Sequence, residues 1–197
     1  DYYTRPLKSV DIRVERVIET GKVQDAPVSF GEVRVCEQYF AYKIIRNDTL
    51  LGVEPLDLPP ISFSTKALWF SPSEGTVEMI QAEGYDLAGG LHGAEHAFIA
   101  MMPMHVLCDR WDIGGVSVPV DASTGMPVVF VYDGYEGGIG LSEKAYQLFS
   151  EIAARSLILV RECPCMTGCP SCIYSPKCGN DNQPLDKRAT VRVLQSL

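Results

Sequence analysis

Between Ser62 and Gly75 the chain reads Ser-Phe-Ser-Thr-Lys-Ala-Leu-Trp-Phe-Ser-Pro-Ser-Glu-Gly, and the hydrophobic period changes across this stretch. Ser62 to Phe70 is a β-prone run, whereas Ser71-Pro-Ser-Glu-Gly75 has the composition of a linker. Upstream, Val10, Ile12 and Val14 alternate with Asp11, Arg13 and Glu15, and after the turn residues Gly21 and Pro27 the same alternation returns at Val33 and Val35 between Glu32 and Arg34. A period of two in both segments predicts an antiparallel hairpin with one buried face. Leu58-Pro-Pro60 removes two amide donors and interrupts the pattern. Downstream the period becomes helical. Leu87, Leu91, Ala94, Phe98 and Met102 predict an amphipathic helix over 86–102 that ends at Pro103. Pro127 to Tyr132 reads as a buried strand, Leu141, Ala145, Leu148 and Ile152 as a further helix, and Leu157 to Val160 as a short strand. The expected fold is therefore mixed α/β (α+β), with a β-rich subdomain over 1–75 and an α/β module over 76–197.

Length and composition set the outer limits. A chain of 197 residues buries roughly 70% of its unfolded surface, so it can build a core from side chains alone. Hydrophobic residues make up 46% and charged residues 21%, which excludes a disordered or low-complexity role. The longest uncharged apolar stretch, Ala97 to Cys108, is too short to span a bilayer, so no membrane partner is expected. The chain opens on Asp1 with no leader pattern, and the expectation is a cytoplasmic segment cut from something longer. The formal charge of -8 is uneven: residues 1–46 carry 8 Lys/Arg against 7 Asp/Glu, residues 47–160 carry 4 against 15, and residues 161–197 carry 5 against 3. So acidic a chain repels a phosphate backbone, and tight autonomous binding to duplex nucleic acid is not expected.

Five of the seven cysteines, Cys163, Cys165, Cys169, Cys172 and Cys178, fall in one 16-residue stretch. Secreted scaffolds spread their cysteines to staple distant loops, whereas crowding of this kind points to metal in a reducing compartment. Close thiolate pairs can surround one zinc ion tetrahedrally, and four sulfurs leave no place for water, so the predicted role is structural. The favoured ligands are Cys163, Cys165, Cys169 and Cys172, with Cys178 a substitute for Cys163. An iron–sulfur cluster is the alternative occupant.

At this point the residues carry a family resemblance. Cys163-Pro-Cys-Met-Thr-Gly-Cys-Pro-Ser-Cys172, followed by Ser175-Pro-Lys-Cys-Gly-Asn180 and Pro184-Leu-Asp-Lys187, resembles the zinc-binding C-terminal module, of the DUF1998/MZB type, in MrfA-like helicases. These are the mitomycin repair factor A group of superfamily-two DNA helicases. Leu56 to Pro60, Glu95-His-Ala97, Cys108 to Gly115 and Tyr132 to Gly140 resemble family segments in the same order. The resemblance implies the accessory end of an ATP-driven DNA repair helicase, with motor domains in the same polypeptide. The chain contains no G-x-x-x-x-G-K-[ST] loop, so ATP and magnesium would belong only to those motor domains.

Other motifs offer weaker chemistry. His92-Gly-Ala-Glu-His96 matches H-x-x-E-H, which makes a metallopeptidase using His92, Glu95 and His96 the alternative function, although the histidines sit on the flank of the apolar stripe. Gly137-Gly-Ile-Gly140 before a helix could offer amides to a phosphate, or could simply pack on its strand. Asp109, Asp112, Asp133 and Glu136 read as turn and cap residues rather than a magnesium site. Trp69, Trp111, Tyr135 and Tyr174 are mostly core candidates. Asn182 is placed to cap a final helix with Pro184 in its first turn. Lys177, Lys187, Arg188 and Arg192 are the nucleic-acid-contact candidates, and the expected partner is single-stranded or forked DNA, held weakly.

Overall fold

A computed structural model of the protein describes residues 2–122 and 124–197. The chain begins with a long antiparallel ribbon in which β1 (Tyr2–Val23) turns back into β2 (Ala26–Arg46). Its register sets Ile12 opposite Val35 and Val14 opposite Val33. The charged residues between them face outward and pair across the strands, Arg16 with Glu32 and Arg34 with Glu15. Strand β3 (Thr49–Pro55) folds back on the far end of β2, and β4 (Ile61–Phe70) pairs with the near half of β2.

The helical part follows, with α1 (Glu74–Ala82), α2 (Leu87–Met101), the short α3 (Pro103–Val106) and a 3-10 turn at Arg110–Asp112. Two strands, β5 (Ile113–Val118) and β6 (Val128–Asp133), precede α4 (Leu141–Gln147), α5 (Phe149–Glu162) and the last helix α6 (Lys187–Gln195). All strand pairs are antiparallel, in the order β1-β2-β4-β6-β5 with β3 also on β2, so the sheet continues across residue 75.

Period-two alternation buries both faces of the central strands. Leu68, Phe70, Val129 and Val131 meet the helices, where Phe98, Phe149, Ile152 and Val193 complete the main core. Their neighbours Ala67, Phe130 and Tyr132 point the other way and join Ile12, Val33 and Val35. The edge strands β1 and β5 touch over this second cluster, so the sheet curls around it.

Helix α2 starts at Asp86, whose carboxylate accepts the Ala88 amide at 3.0 Å. Three glycines would normally weaken such a helix. Here they let α6 come close: a Cβ at Gly90 would lie 2.6 Å from Ala189 Cβ, and one at Gly93 would lie 2.0 Å from Thr190 Oγ1.

Several local expectations are corrected. Leu157 to Val160 is the end of helix α5, because Ile152, Ala153, Ser156 and Val160 form one buried helical stripe. The predicted helix over 141–152 breaks at Leu148 into α4 and α5. The cap of α6 is Asp186, which accepts the amides of Arg188 and Ala189, while Asn182 lies upstream and bonds Ser175. Ser73, within the expected linker, caps α1. Trp111 is 71% exposed and Tyr135 48% exposed, so neither is a core residue. Among the described residues no helix is long and apolar enough to cross a membrane.

Candidate metal centre

Helix α5 ends at Cys163, which takes an extended conformation and turns the chain into the cysteine loop. Four sulfurs converge there, with Cys163 Sγ 3.6 Å from Cys165 and 3.5 Å from Cys169, and Cys172 Sγ 3.5 Å from Cys165 and 3.8 Å from Cys169. Tetrahedral zinc with Zn–S bonds of about 2.3 Å requires sulfurs roughly 3.8 Å apart. The separations fit that ion and are far too long for disulfides. A cube of irons and sulfides would hold its cysteines farther apart than a single ion does, and all four of these sulfurs lie within 4.8 Å of one another.

Backbone geometry and hydrogen bonds shape the loop around the four sulfurs. Gly168 has φ +118, and a Cβ there would strike Ile173. The Cys172 and Tyr174 amides both donate to Cys169 O. Lys187, at the start of α6, donates from Nζ to Cys163 O at 2.6 Å and Cys165 O at 2.7 Å. Burial acts to raise the Cys165 thiol, but hydrogen bonds from the neighbouring thiols and the Gly168 amide bring it down to about 7, whereas burial pushes Cys172 up to about 12. A divalent cation among them would favour the thiolate at every position.

Cys178 lies apart from this cluster. Its sulfur is 3.4 Å from His92 Nε2 and accepts the Asn182 amide at 3.3 Å. His92 and His96 stand one turn apart on α2 with ring centroids separated by 4.3 Å. Each anchors a neighbouring segment, His92 Nδ1 on Pro184 O at 2.8 Å and His96 Nδ1 on Ile173 O at 2.7 Å. Glu95 points elsewhere, toward Ser117 and Gly115 of β5, and burial pushes its carboxyl up to about 7. With all three residues only 7% exposed, the H-x-x-E-H segment packs helix against sheet and loop rather than presenting a peptide cleft.

The glycine loop has an internal occupant. The fully buried Asp133 carboxylate accepts the amides of Ile139, Gly140, Leu141 and Ser142 at 2.6, 2.8, 3.2 and 2.7 Å. Those donors are the ones a phosphate would have used, so the packing reading holds. Asp109 caps the 3-10 turn and Asp112 accepts the Tyr135 hydroxyl at 2.8 Å, as turn carboxylates do.

The predicted nucleic-acid residues fall into two groups. Lys177 donates to Arg110 O at 2.6 Å and to Ile113 O, and sits 5.7 Å from the Trp111 ring centre, while Lys187 holds the cysteine loop as above. Arg188 lies over Tyr85 at 5.8 Å, and Arg192 makes a two-pronged pair with Glu83 at 2.7 and 3.0 Å. These two arginines line one shallow groove with Lys187, Tyr85, Arg161 and Met166, so three of the four predicted residues meet there and Lys177 does not. Arg161 carries no sequence signal of its own, because only the end of α5 brings it to the groove.

The model of the MrfA Zn-binding domain family matches residues 94–173, which run from α2 through the four-thiol loop. The chain is 39% identical over 110 residues to the uncharacterized protein MJ1572.1 of Methanocaldococcus jannaschii, covering 54% of this chain and 98% of that one. The chain belongs to the MrfA zinc-binding domain family. A longer relative of the family is the uncharacterized ATP-dependent helicase YprA of Bacillus subtilis, 32% identical over 175 residues that make up 88% of this chain and 23% of YprA. The crystal structure of the DUF1998 helicase MrfA bound to DNA superposes with a TM-score of 0.67 at 29% identity, over 99% of this chain and 25% of that one. The chain thus spans about a quarter of YprA and of the MrfA structure. Zinc is the structural metal of this domain, and the four-thiol geometry suits it.

Proposed function

We propose that this chain is the accessory zinc-binding part of an ATP-dependent DNA repair helicase whose motor domains lie on other residues. The observation that carries this reading is its match, along almost its whole length, to a quarter of a DNA-bound MrfA helicase. Cys163, Cys165, Cys169 and Cys172 would hold the zinc, which supplies a cross-link within a loop too poor in apolar residues to order itself. The chain's own residues then do the work. Lys187 couples the loop to α6, and α6 presents Arg188 and Arg192 beside Arg161. Guanidinium groups suit phosphate oxygens and the Tyr85 ring suits an unpaired base, once Arg192 exchanges Glu83 for a phosphate and Arg188 swings off the ring it covers. Single-stranded or forked DNA fits this pairing better than intact duplex, whose bases are already stacked.

The test uses the full-length helicase carrying this chain. Arg188→Ala together with Arg192→Ala should slow unwinding of a forked substrate while leaving the ATPase of the motor near wild type. Unchanged unwinding after loss of both arginines would overturn the groove as the DNA contact.

A further inference from the structure

We propose that His92, His96 and Cys178 form a second metal site, separate from the four-thiol centre, that takes one zinc-class cation through two imidazole Nε2 atoms and one thiolate. The argument starts from proton counting. A carbonyl oxygen only accepts, so the bonds from Nδ1 of His92 to Pro184 O and from Nδ1 of His96 to Ile173 O place a hydrogen on each Nδ1. In the neutral ring, the form that binds metal, Nε2 is then a lone pair. The two Nε2 atoms belong to neighbouring rings, and one candidate ligand atom from each of His92, His96 and Cys178 lies within 4.8 Å of the other two.

A thiol has one proton and can serve only one of those lone pairs. The Asn182 amide also donates to the same sulfur, an arrangement that suits a thiolate rather than a thiol. Three electron-pair donors around a pocket formed by two 7% exposed histidines therefore face one another with too few hydrogens between them. A cation settles this directly. Imidazoles spaced i and i+4 on one helix, each oriented by an Nδ1–H bond to a carbonyl, are the arrangement seen where histidine binds metal through Nε2. Nitrogen and sulfur donors select a borderline-soft ion such as zinc over magnesium or calcium. Three protein ligands leave a fourth position for a small exchangeable ligand. The site would staple α2 to the segment leading into α6, across a sequence separation of 86 between His92 and Cys178.

The experiment measures zinc content by mass spectrometry and follows cobalt titration by absorption. Wild type should hold two equivalents. Cys178→Ser and His92→Asn, the latter keeping a donor for Pro184 O, should each hold one and keep the intense charge-transfer bands of four thiolates. Cys169→Ser should also hold one, with the weaker bands of a single thiolate. One equivalent in wild type that survives both Cys178→Ser and His92→Asn would overturn the proposal. One equivalent that survives Cys169→Ser but is lost in Cys178→Ser would support it and count against the four-thiol centre instead. Should either variant fail to fold, a single cobalt-binding step in the wild-type chain that carries the bands of four thiolates overturns the proposal by itself.

Discussion

Asp133 ties the end of the glycine loop to the start of α4 on two oxygens, since its carboxylate accepts four consecutive amides and has no exposure to water. Asp133→Ala leaves those donors without a partner and should cost roughly 3–5 kcal/mol of unfolding free energy. Urea denaturation measures it, and a loss below about 1 kcal/mol would show that water replaces the carboxylate readily. Beside it, Ser142 Oγ is buried with no hydrogen-bond partner among the described residues. Ser142→Ala should therefore be neutral or stabilise by up to about 1 kcal/mol, against the usual trend for a buried substitution. At this scale the sequence is legible where chemistry is local. The carboxylates Asp109, Asp112 and Asp133 read correctly as turn and cap residues, yet which carboxylate fills which nest depends on a strand end meeting a helix start. Trp111 misled because a large ring suggests burial, whereas here it lies outside, beside Lys177.

Helices α2 and α6 meet through missing side chains. Gly93→Val would drive a methyl into Thr190 and should destabilise by about 1–3 kcal/mol, lowering the melting temperature by several degrees. The paired change Gly93→Ala with Thr190→Ala should recover part of the loss, which a purely propensity-based cost would not. The β1–β2 ribbon holds a different kind of interaction. Hydrogen bonds from Arg16 and Lys66 keep the Glu32 carboxyl at about 2, below its ordinary 4.5. A depressed carboxylate stabilises the fold fully above pH 4.5 and loses that contribution as pH falls through 2. Melting temperatures of wild type and Glu32→Gln should thus differ most above pH 4.5 and converge near pH 2; parallel curves would rule the pair out as the source. Alternation made the antiparallel hairpin readable from Val10 to Val35, but its turn falls at Gln24 and Asp25, while Gly21 and Pro27 pair within the strands. It did not reveal β5, where Gly114 and Gly115 hide a strand whose glycine lets the Tyr132 ring cross. Leu157 to Val160 is equally ambiguous in isolation, because four apolar residues fit either period and only the stripe from Ile152 decides.

For the molecule as a whole, charge limits what it can hold alone. With -11 over residues 47–160 and +2 after 160, the isolated chain should bind single-stranded DNA at micromolar strength or weaker, with a log–log salt slope no steeper than about -2. Tethered to a motor already on the strand, such a contact acts at high effective concentration. Nanomolar binding by the isolated chain, measured across a salt series, would contradict this. Removing zinc with a chelator should unfold the 163–182 loop while the sheet and its helices persist, seen as protease cleavage confined to that loop. The four-thiol cluster was readable because its spacing is short. The partnership of Cys178 with two histidines was not, because His92 lies at a sequence separation of 86 from it and only the seating of α6 on α2 closes the gap. That same seating has a consequence for synthesis. The glycine face of α2 is complete at Met101, but the helix that covers it ends at Gln195. At 5–20 residues per second, a ribosome leaves that face bare for roughly 5–20 s. Nascent chains stalled before residue 187 should expose α2 to proteases and chaperones, and each newly made molecule must pass through that unprotected interval before its last helix arrives.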